Sequence, residues 1–372
     1  MIVVINAFSA KVGGGKTYLY NLLENVPAKQ VQVYIFGYDD LDQFQTASVR
    51  RIRTRFPVYN PVLRLFWERF ILPIWLSKLQ ADLLFCPGGV VNTRPPAGCR
   101  VVTMFRNMLP FDEQALADTR SIKLKFKNYL LKKRMLASMA SADLVIFVSD
   151  YARSIIERQI TIKQAVTISH GIGDNFFVMN DEPERPVLPF SGKYILYVSR
   201  FEFYKRHLQL VKAYALLSDC IRDEYKLLIV GGGGGQTATE VHDFVASQGL
   251  GTSVFLLGEY PYAALPALYK HASLFTFMSA CENCPNILLE VMGAGVPIVS
   301  SDYAPMPEFG GDAVRYVSPD DPQQVSQVLT DTLSDPALLN TLSARVAERS
   351  LLYKWSRTAM LTWRALFKVA NT

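Results

Sequence analysis

Two glutamates separated by seven residues mark the stretch with the most chemical content. Residues 279–301 read SACENCPNILLEVMGAGVPIVSS, with Glu282 and Glu290 as the pair. Glu282 precedes a turn at Asn283, Cys284 and Pro285. Glu290 falls one turn into a helix predicted to begin near Asn286. A helix start presents free amides and positive dipole to a pyrophosphate. A carboxylate on its first turn can accept both hydroxyls of a ribose. Asn283, Asn286, Ile287 and Glu290 are therefore candidates for holding a nucleoside diphosphate linked to something else. Gly293, Gly295 and Pro297 let the helix end and the next strand start close together.

A second stretch, AKVGGGKT (10–17), nearly matches the phosphate-cradling loop GxxxxGK[ST] but has Ala10 in place of the first glycine. A nucleotide hydrolase built on it would need Lys16, and an acid after an apolar strand to hold magnesium. Asp39 and Asp302 are weak candidates for that acid. The preferred reading makes Gly13, Gly14 and Gly15 a turn whose backbone amides approach a sugar nucleotide. The plainer alternative is a tight turn where only glycine avoids strain. Cys281-x-x-Cys284 has no second ligand pair, so no metal site is expected there. Asp40-Leu41-Asp42 looks like a D-x-D metal clasp and is taken as coincidence.

The elements that must position these residues are legible from hydropathy. Three hundred and seventy-two residues exceed one ordinary core and predict two domains. Half the residues are hydrophobic and 19% are charged, which excludes a disordered or fibrous chain. Apolar runs at 2–7, 31–36, 82–86, 100–105, 143–149 and 165–169 alternate with helical stretches. After DEPERPVLPFSG (181–192), read as a linker, the pattern restarts at 193–199, 226–232, 253–258, 273–279, 296–301 and 313–318. Continuous apolar strands alternating with helices predict two α/β domains, each a doubly wound parallel sheet covered on both faces. Such sheets bind ligands beyond the carboxyl ends of their strands, which puts a site in a central cleft between the two domains. The boundaries expected are 1–180, a linker at 181–192, and 193–352. A terminal helix at 353–372, with Tyr353, Trp355, Trp363 and Phe367 to bury, is expected to pack back on the first domain.

The E-x7-E segment resembles the signature of retaining glycosyltransferases of family 4, which have the GT-B fold of two Rossmann-like domains. Further matches are the glycine turn at 13–15, VSDYARS (148–154), ISHGIGDNF (168–176), YVSRFEFYKR (197–206), IVGGGGG (229–235), LGEY (257–260) and LYKHASLFTFMS (268–279). Their order spans about 300 residues. The resemblance implies that Arg200 and Lys205 neutralise the donor pyrophosphate, with Arg206 competing for the lysine's place. It also implies that Glu290 holds the ribose, that Glu282 faces the transferred sugar, and that Gly231 lies at the donor. His170 matches a family position, with a structural role favoured. Two departures stand out. Pro285 replaces a glycine whose amide would meet the donor, and Arg106-Asn107 stands where a His-Asp pair is common. Arg106 can donate a hydrogen bond but cannot serve as a base at neutral pH. A route in which the departing phosphate oxygen takes the acceptor's proton tolerates it.

Charge is uneven. Through Arg185 there are 24 Lys+Arg against 16 Asp+Glu; the remainder has 15 against 17. Residues 120–134, RSIKLKFKNYLLKKR, hold seven basic residues and no acid. Arg50, Arg51, Arg53, Arg55, Arg64 and Arg69 form a second basic stretch near Phe66, Trp67 and Phe70. Basic charge with interleaved aromatics suits an anionic membrane surface, faced by Lys123, Lys125 and Lys127. No reader module for nucleic acid is found. The five cysteines form no disulfide ladder, and MIVVINAF reads as a buried strand without the marks of a signal peptide. A cytoplasmic protein at the inner face of a membrane is expected. The expected activity is metal-independent, cofactor-free transfer of a hexose, with retention, from a nucleoside-diphosphate sugar to a saccharide acceptor. The wording CPNILLE resembles enzymes of surface-polysaccharide assembly, which implies a GDP-sugar such as GDP-mannose and a polyprenyl-linked acceptor. The alternatives are an epimerase or hydrolase of sugar nucleotides, or a partner subunit that binds the donor without turnover.

Overall fold

A computed structural model describes residues 1–10, 13–119, 121–177 and 184–371. Lys11 and Val12 of the glycine-turn motif, Arg120 of the basic run and 181–183 of the expected linker lie outside the described residues. The first elements along the chain are β1 (Ile2–Asn6), α1 (Gly14–Glu24), β2 (Gln32–Phe36), β3 (Val49–Arg51), α2 (Pro61–Phe66) and α3 (Leu72–Lys78). There follow β4 (Leu83–Cys86), β5 (Arg100–Phe105), α4 (Glu113–Asp118), α5 (Ile122–Ser141), β6 (Leu144–Phe147), α6 (Asp150–Glu157) and β7 (Ala165–Thr167). Next come β8 (Lys193–Val198), α7 (His207–Ala215), α8 (Asp219–Glu224), β9 (Tyr225–Val230), α9 (Gln236–Ser247), β10 (Val254–Gly258), α10 (Leu265–Lys270) and β11 (Leu274–Phe277). The last are α11 (Asn286–Gly293), β12 (Ile298–Ser301), α12 (Met306–Gly310), β13 (Arg315–Val317), α13 (Pro322–Leu333), α14 (Pro336–Ser350) and α15 (Trp355–Ala370).

The chain forms two units. Unit 1 holds residues 1–111, 122–171 and 355–372; unit 2 holds 112–121 and 172–354. Unit 1 carries a seven-stranded sheet in the order β3-β2-β1-β4-β5-β6-β7, and unit 2 a six-stranded sheet in the order β10-β9-β8-β11-β12-β13. The pairings are parallel. Both sheets are doubly wound, as their uninterrupted apolar strands predict: β4, β6, β11 and β12 are buried at every position. The strand order reverses between β1 and β4 in one sheet and between β8 and β11 in the other, which sets the loops after those strands apart as ligand-binding positions.

Three details depart from the sequence reading. The edge strand β3 went unseen because its residues, VRR, carry charge where a strand is expected to be apolar. The chain crosses between units at Gly171/Ile172, ahead of the expected linker, because Ile172 and Phe176 are core residues of unit 2. Leu188 and Phe190 also pack on that core, so the described part of the expected linker is anchored. Residues 112–121, expected in the first domain, belong to unit 2. There Asp118 pairs with Arg206 (2.7 Å) and Gln114 donates to the Tyr303 hydroxyl (3.4 Å).

The terminal helix is part of unit 1. Trp363 is buried and its Nε1 donates to the Leu22 carbonyl of α1 (3.1 Å), while Thr358 donates to the Ser169 carbonyl. The second basic stretch is only partly a surface feature. Arg51 is held by Asp39 and Asp42, Arg53 by Asp42, and Arg64 by the Phe8 carbonyl. Trp67 lies fully inside, edge-on to Phe8 and Phe36. Among the described residues no helix is long and apolar enough to cross a membrane. Trp363→Ala should lower the stability of unit 1 by about 3–5 kcal/mol. A urea midpoint unchanged from that of the parent chain would show that α15 contributes no core.

Candidate functional site

In unit 2 the loop after β8 sits where the strand order reverses, and three contacts shape it. Gly231, with φ +154°, lets the loop after β9 press on its backbone; a Cβ there would stand 1.8 Å from the Ser199 carbonyl oxygen. His207 is fully buried with its ring stacked on Phe201 at 4.3 Å, and burial pulls its pKa down to about 4, so it stays neutral. Tyr197 donates to the Lys205 carbonyl (2.5 Å). Arg206 adopts a left-handed backbone, φ 54°, and its guanidinium is bracketed by Asp118 and Asp320 at 2.7 and 2.8 Å.

That bracket decides which cation serves the site. With Arg206 drawn to the two aspartates, Lys205 reaches the other way and donates to Glu282 Oε1. Its ammonium lies near the faces of Tyr204 and Phe277, and both partners of the ion pair are largely shielded, 12% and 15% exposed. Arg200 is exposed, and its guanidinium forms no ion pair or hydrogen bond among the described residues. Glu282 arrives from the loop after β11, tied to the first loop by the Ala280 amide donating to the Tyr204 carbonyl (2.8 Å). Thus Glu282, Arg200 and Lys205 come from two neighbouring loops at the switch point of one sheet.

The helix α11 starts at Asn286, with Pro285 as its cap residue. Asn283 is buried, while Asn286 and Ile287 are partly buried on the first turn. Glu290 follows one turn later. Its carboxylate accepts from Tyr262 (2.8 Å) and, more weakly, Tyr269 (3.4 Å). Burial raises its pKa from the ordinary 4.5 to about 7, opposed by the two hydroxyls. Both oxygens keep lone pairs for further donors.

In unit 1, Gly13 caps α1 with φ 62° and ψ −153°, a conformation open to glycine. Arg106, from the end of β5, lies over this turn; a Cβ on Gly15 would come within 2.5 Å of its guanidinium. Its Nε is buried and has no hydrogen-bond partner among the described residues, and burial lowers its pKa to about 10, leaving it charged at neutral pH. An uncompensated guanidinium at a helix N-terminus is an attractor for anions. Gly14 opens the helix between them, and Asn107 is exposed beside Arg106.

The rival motifs are otherwise engaged. Lys16 pairs with Asp40 (2.7 Å), which also accepts from Tyr20, so the lysine of the hydrolase reading is turned away from the glycine turn. Asp42 of the D-x-D run is taken up by Arg51 and Arg53. His170 is buried between the rings of Tyr18 and Trp355, a packing position. Cys281 and Cys284 form no disulfide among the described residues. Lys123, Lys125 and Lys127 are exposed on α5. Sequence reasoning missed Tyr262, Tyr269 and His207. The seven-residue spacing of the tyrosines on one helical face was the available signal.

Two parallel-sheet units with ligand-binding loops at their switch points define the GT-B class, and solved structures agree. Sucrose-phosphate synthase from Thermosynechococcus elongatus matches with a TM-score of 0.76 at 19% identity, covering 99% of both chains. Anabaena HepE in complex with UDP matches with a TM-score of 0.74 at 14% identity, also over 99% of both. The Glycosyltransferase Family 4 model matches residues 12–175 and the Glycosyl transferases group 1 model matches residues 179–349. The chain belongs to glycosyltransferase family 4. Among curated proteins it is 28% identical over 243 residues to O-antigen chain mannosyltransferase B of Escherichia coli, covering 63% of each chain. It is 26% identical over 231 residues to phosphatidyl-myo-inositol mannosyltransferase of Mycobacterium leprae (strain TN), covering 61% of this chain and 59% of that one. The chain thus spans less than two thirds of the length of these relatives.

Glu290 gives a pH signature. Its folded pKa, about 7, lies above its ordinary 4.5, so the folded protein binds the proton more tightly than the unfolded chain. The stability this provides is complete below pH 4.5 and is lost as pH rises through 7, up to about 3 kcal/mol. Glu290→Gln should remove this slope between pH 4.5 and 7 in urea titrations. Parallel curves for the two proteins would contradict the burial of Glu290.

Proposed function

We propose that this protein transfers a hexose, with retention of configuration, from a nucleoside-diphosphate sugar to a saccharide acceptor. The observation that carries the proposal is the Lys205–Glu282 pair with Arg200, unpaired among the described residues, on the same loop as Lys205. An incoming diphosphate competes with Glu282 for Lys205 and takes Arg200 outright. Two cations then offset the charge that grows on the leaving phosphate, the role a metal ion has in other designs, so no metal or cofactor is invoked. Glu290 would accept the ribose hydroxyls and Glu282 would face the sugar. Unit 2 is in this reading the donor domain and unit 1 the acceptor domain, with Gly13–Gly15 and Arg106 providing an anion-binding turn.

The bond that breaks joins the sugar's anomeric carbon to the phosphate oxygen, which keeps the electron pair. That oxygen takes the proton of the acceptor hydroxyl, whose oxygen forms the new bond on the same face. No protein base is required, which suits Arg106. The mannosyl relatives favour GDP-mannose or a related GDP-sugar in surface-polysaccharide assembly, with a polyprenyl-linked saccharide as acceptor.

Such an acceptor requires attachment to a membrane, and exposed side chains of unit 1 support that reading. Val62, Phe66, Phe70 and Ile74, spaced by four, are all exposed along α2, α3 and the helical turn Trp67–Ile71 that joins them, and Ile122, Phe126, Tyr129 and Leu130 are exposed on α5 beside the three lysines. Apolar side chains flanked by lysine suit attachment to an anionic bilayer from the cytoplasmic side.

Glu290→Ala should abolish donor binding in a thermal-shift screen against GDP, UDP, ADP and their sugar conjugates. Glu282→Ala should bind donor but lose turnover. Arg200→Ala should lower kcat about 100- to 1,000-fold. Full activity in all three variants would refute the site. Free sugar or epimerised donor in a donor-only incubation would favour the hydrolase or epimerase, and donor binding with no turnover on any lipid-linked pool would favour a binding subunit. Changing Lys123, Lys125 and Lys127 together to glutamate should release the protein from phosphatidylglycerol vesicles; undiminished co-sedimentation would rule out α5 as the docking face.

A further inference from the structure

Unit 1 contains a cavity of about 550 Å³ that the proposed reaction does not use. Val101, Asp143 and Lys163 on its lining lie within two residues of the starts of β5, β6 and β7. It therefore lies at the amino edge of the sheet, whereas the glycine turn and Arg106 lie beyond the carboxyl ends of β1 and β5. Six residues of β5 separate the two edges, roughly 20 Å of strand.

Its charge is one-sided. Arg69, Arg94, Arg134 and Lys163 face a single carboxylate, Asp143, for a net of four minus one, +3. Asp143 is already engaged by Lys163 (3.2 Å), the Val101 amide (2.8 Å) and, more distantly, Arg100. The guanidinium groups of the three arginines form no ion pair or hydrogen bond among the described residues. Cations gathered round one hollow repel, and a bound anion would relieve that repulsion. The wall behind them is fixed. Buried Glu68 accepts from Asn92 (2.6 Å), its carbonyl accepts from Thr93 (2.7 Å), and Ser138 accepts from the Val91 amide (2.9 Å). A volume of several hundred Å³ with a polar, preformed wall suits a small ligand.

The surroundings add a second requirement. Steps of four along α5 lead from exposed Phe126 through exposed Leu130 to Arg134, so an apolar stripe ends at the cavity. Arg69 likewise sits between exposed Phe66 and Phe70. The ligand that satisfies both features is anionic at one end and apolar at the other.

We propose that this hollow is a second binding site, separate from the sugar-nucleotide site, for the phosphate group of an amphiphile. The same cations would also receive a soluble phosphate, so the test compares the two sources. Binding of farnesyl phosphate, inorganic phosphate and farnesol to the full chain is measured by calorimetry, for the parent and for the Arg94→Ala/Arg134→Ala double variant. Farnesyl phosphate should bind the parent at least tenfold more tightly than either fragment, and the double variant should lose at least tenfold. Nucleotide thermal shifts should be unchanged in the variant, which separates this site from the donor site. Equal affinity for inorganic phosphate and farnesyl phosphate would overturn the amphiphile in favour of a soluble phosphate. Equal affinity for farnesol, or binding unaltered by the double substitution, would overturn the site itself.

Discussion

The contact between the backbones of Gly231 and Ser199 is the constraint on which the rest of unit 2 depends. No residue with a side chain fits there, so the loops after β8 and β9 are pressed together. His207, buried and neutral, closes the far end of the same loop against Phe201. Once both ends are fixed, two adjacent cations must point in different directions. Arg206 goes to Asp118 and Asp320, and Lys205 goes to Glu282. The identity of the cation at the site follows from packing several residues away from it.

The charged groups that matter are of two kinds. Lys205 and Glu282 are mutually compensated, so each is held in place by a partner that a ligand can replace. Glu290 and Arg106 carry the cost of burial with less compensation: neutral hydroxyls for the glutamate, and no anion among the described residues for the arginine. A group held at such a cost gains more from a ligand of opposite polarity than an exposed group would, because it has less water to lose. The fold therefore holds a charged group under incomplete compensation in each unit.

Much of this was legible in the sequence because it is written in local pattern. Apolar runs located every strand except β3, whose short edge position lets it be VRR. The start of α11 and the place of Glu290 followed from Pro285 and helical spacing. What could not be read depends on partners distant in the chain. The choice between Lys205 and Arg206 rests on Asp118 and Asp320, nearly 90 and more than 100 residues away. Trp67 looked like a surface aromatic among arginines, yet Phe8 and Phe36 enclose it. The hydroxyls that grip Glu290 come from α10 and the turn before it, which showed only the repeat of a buried helix face.

The chain leaves and re-enters unit 1 twice, at residues 112–121 and again at 172–354. Neither unit is a continuous segment, and this bears on how such proteins can be recombined. A chimera that took only the long segment from this chain would keep Asp320 beside Arg206 but leave its second aspartate, Asp118, to be supplied by a foreign α4. A host lacking an acid there would leave the transplanted arginine held by Asp320 alone. Exchange of unit 2 as a whole thus carries a short second piece with it, far from the obvious splice points.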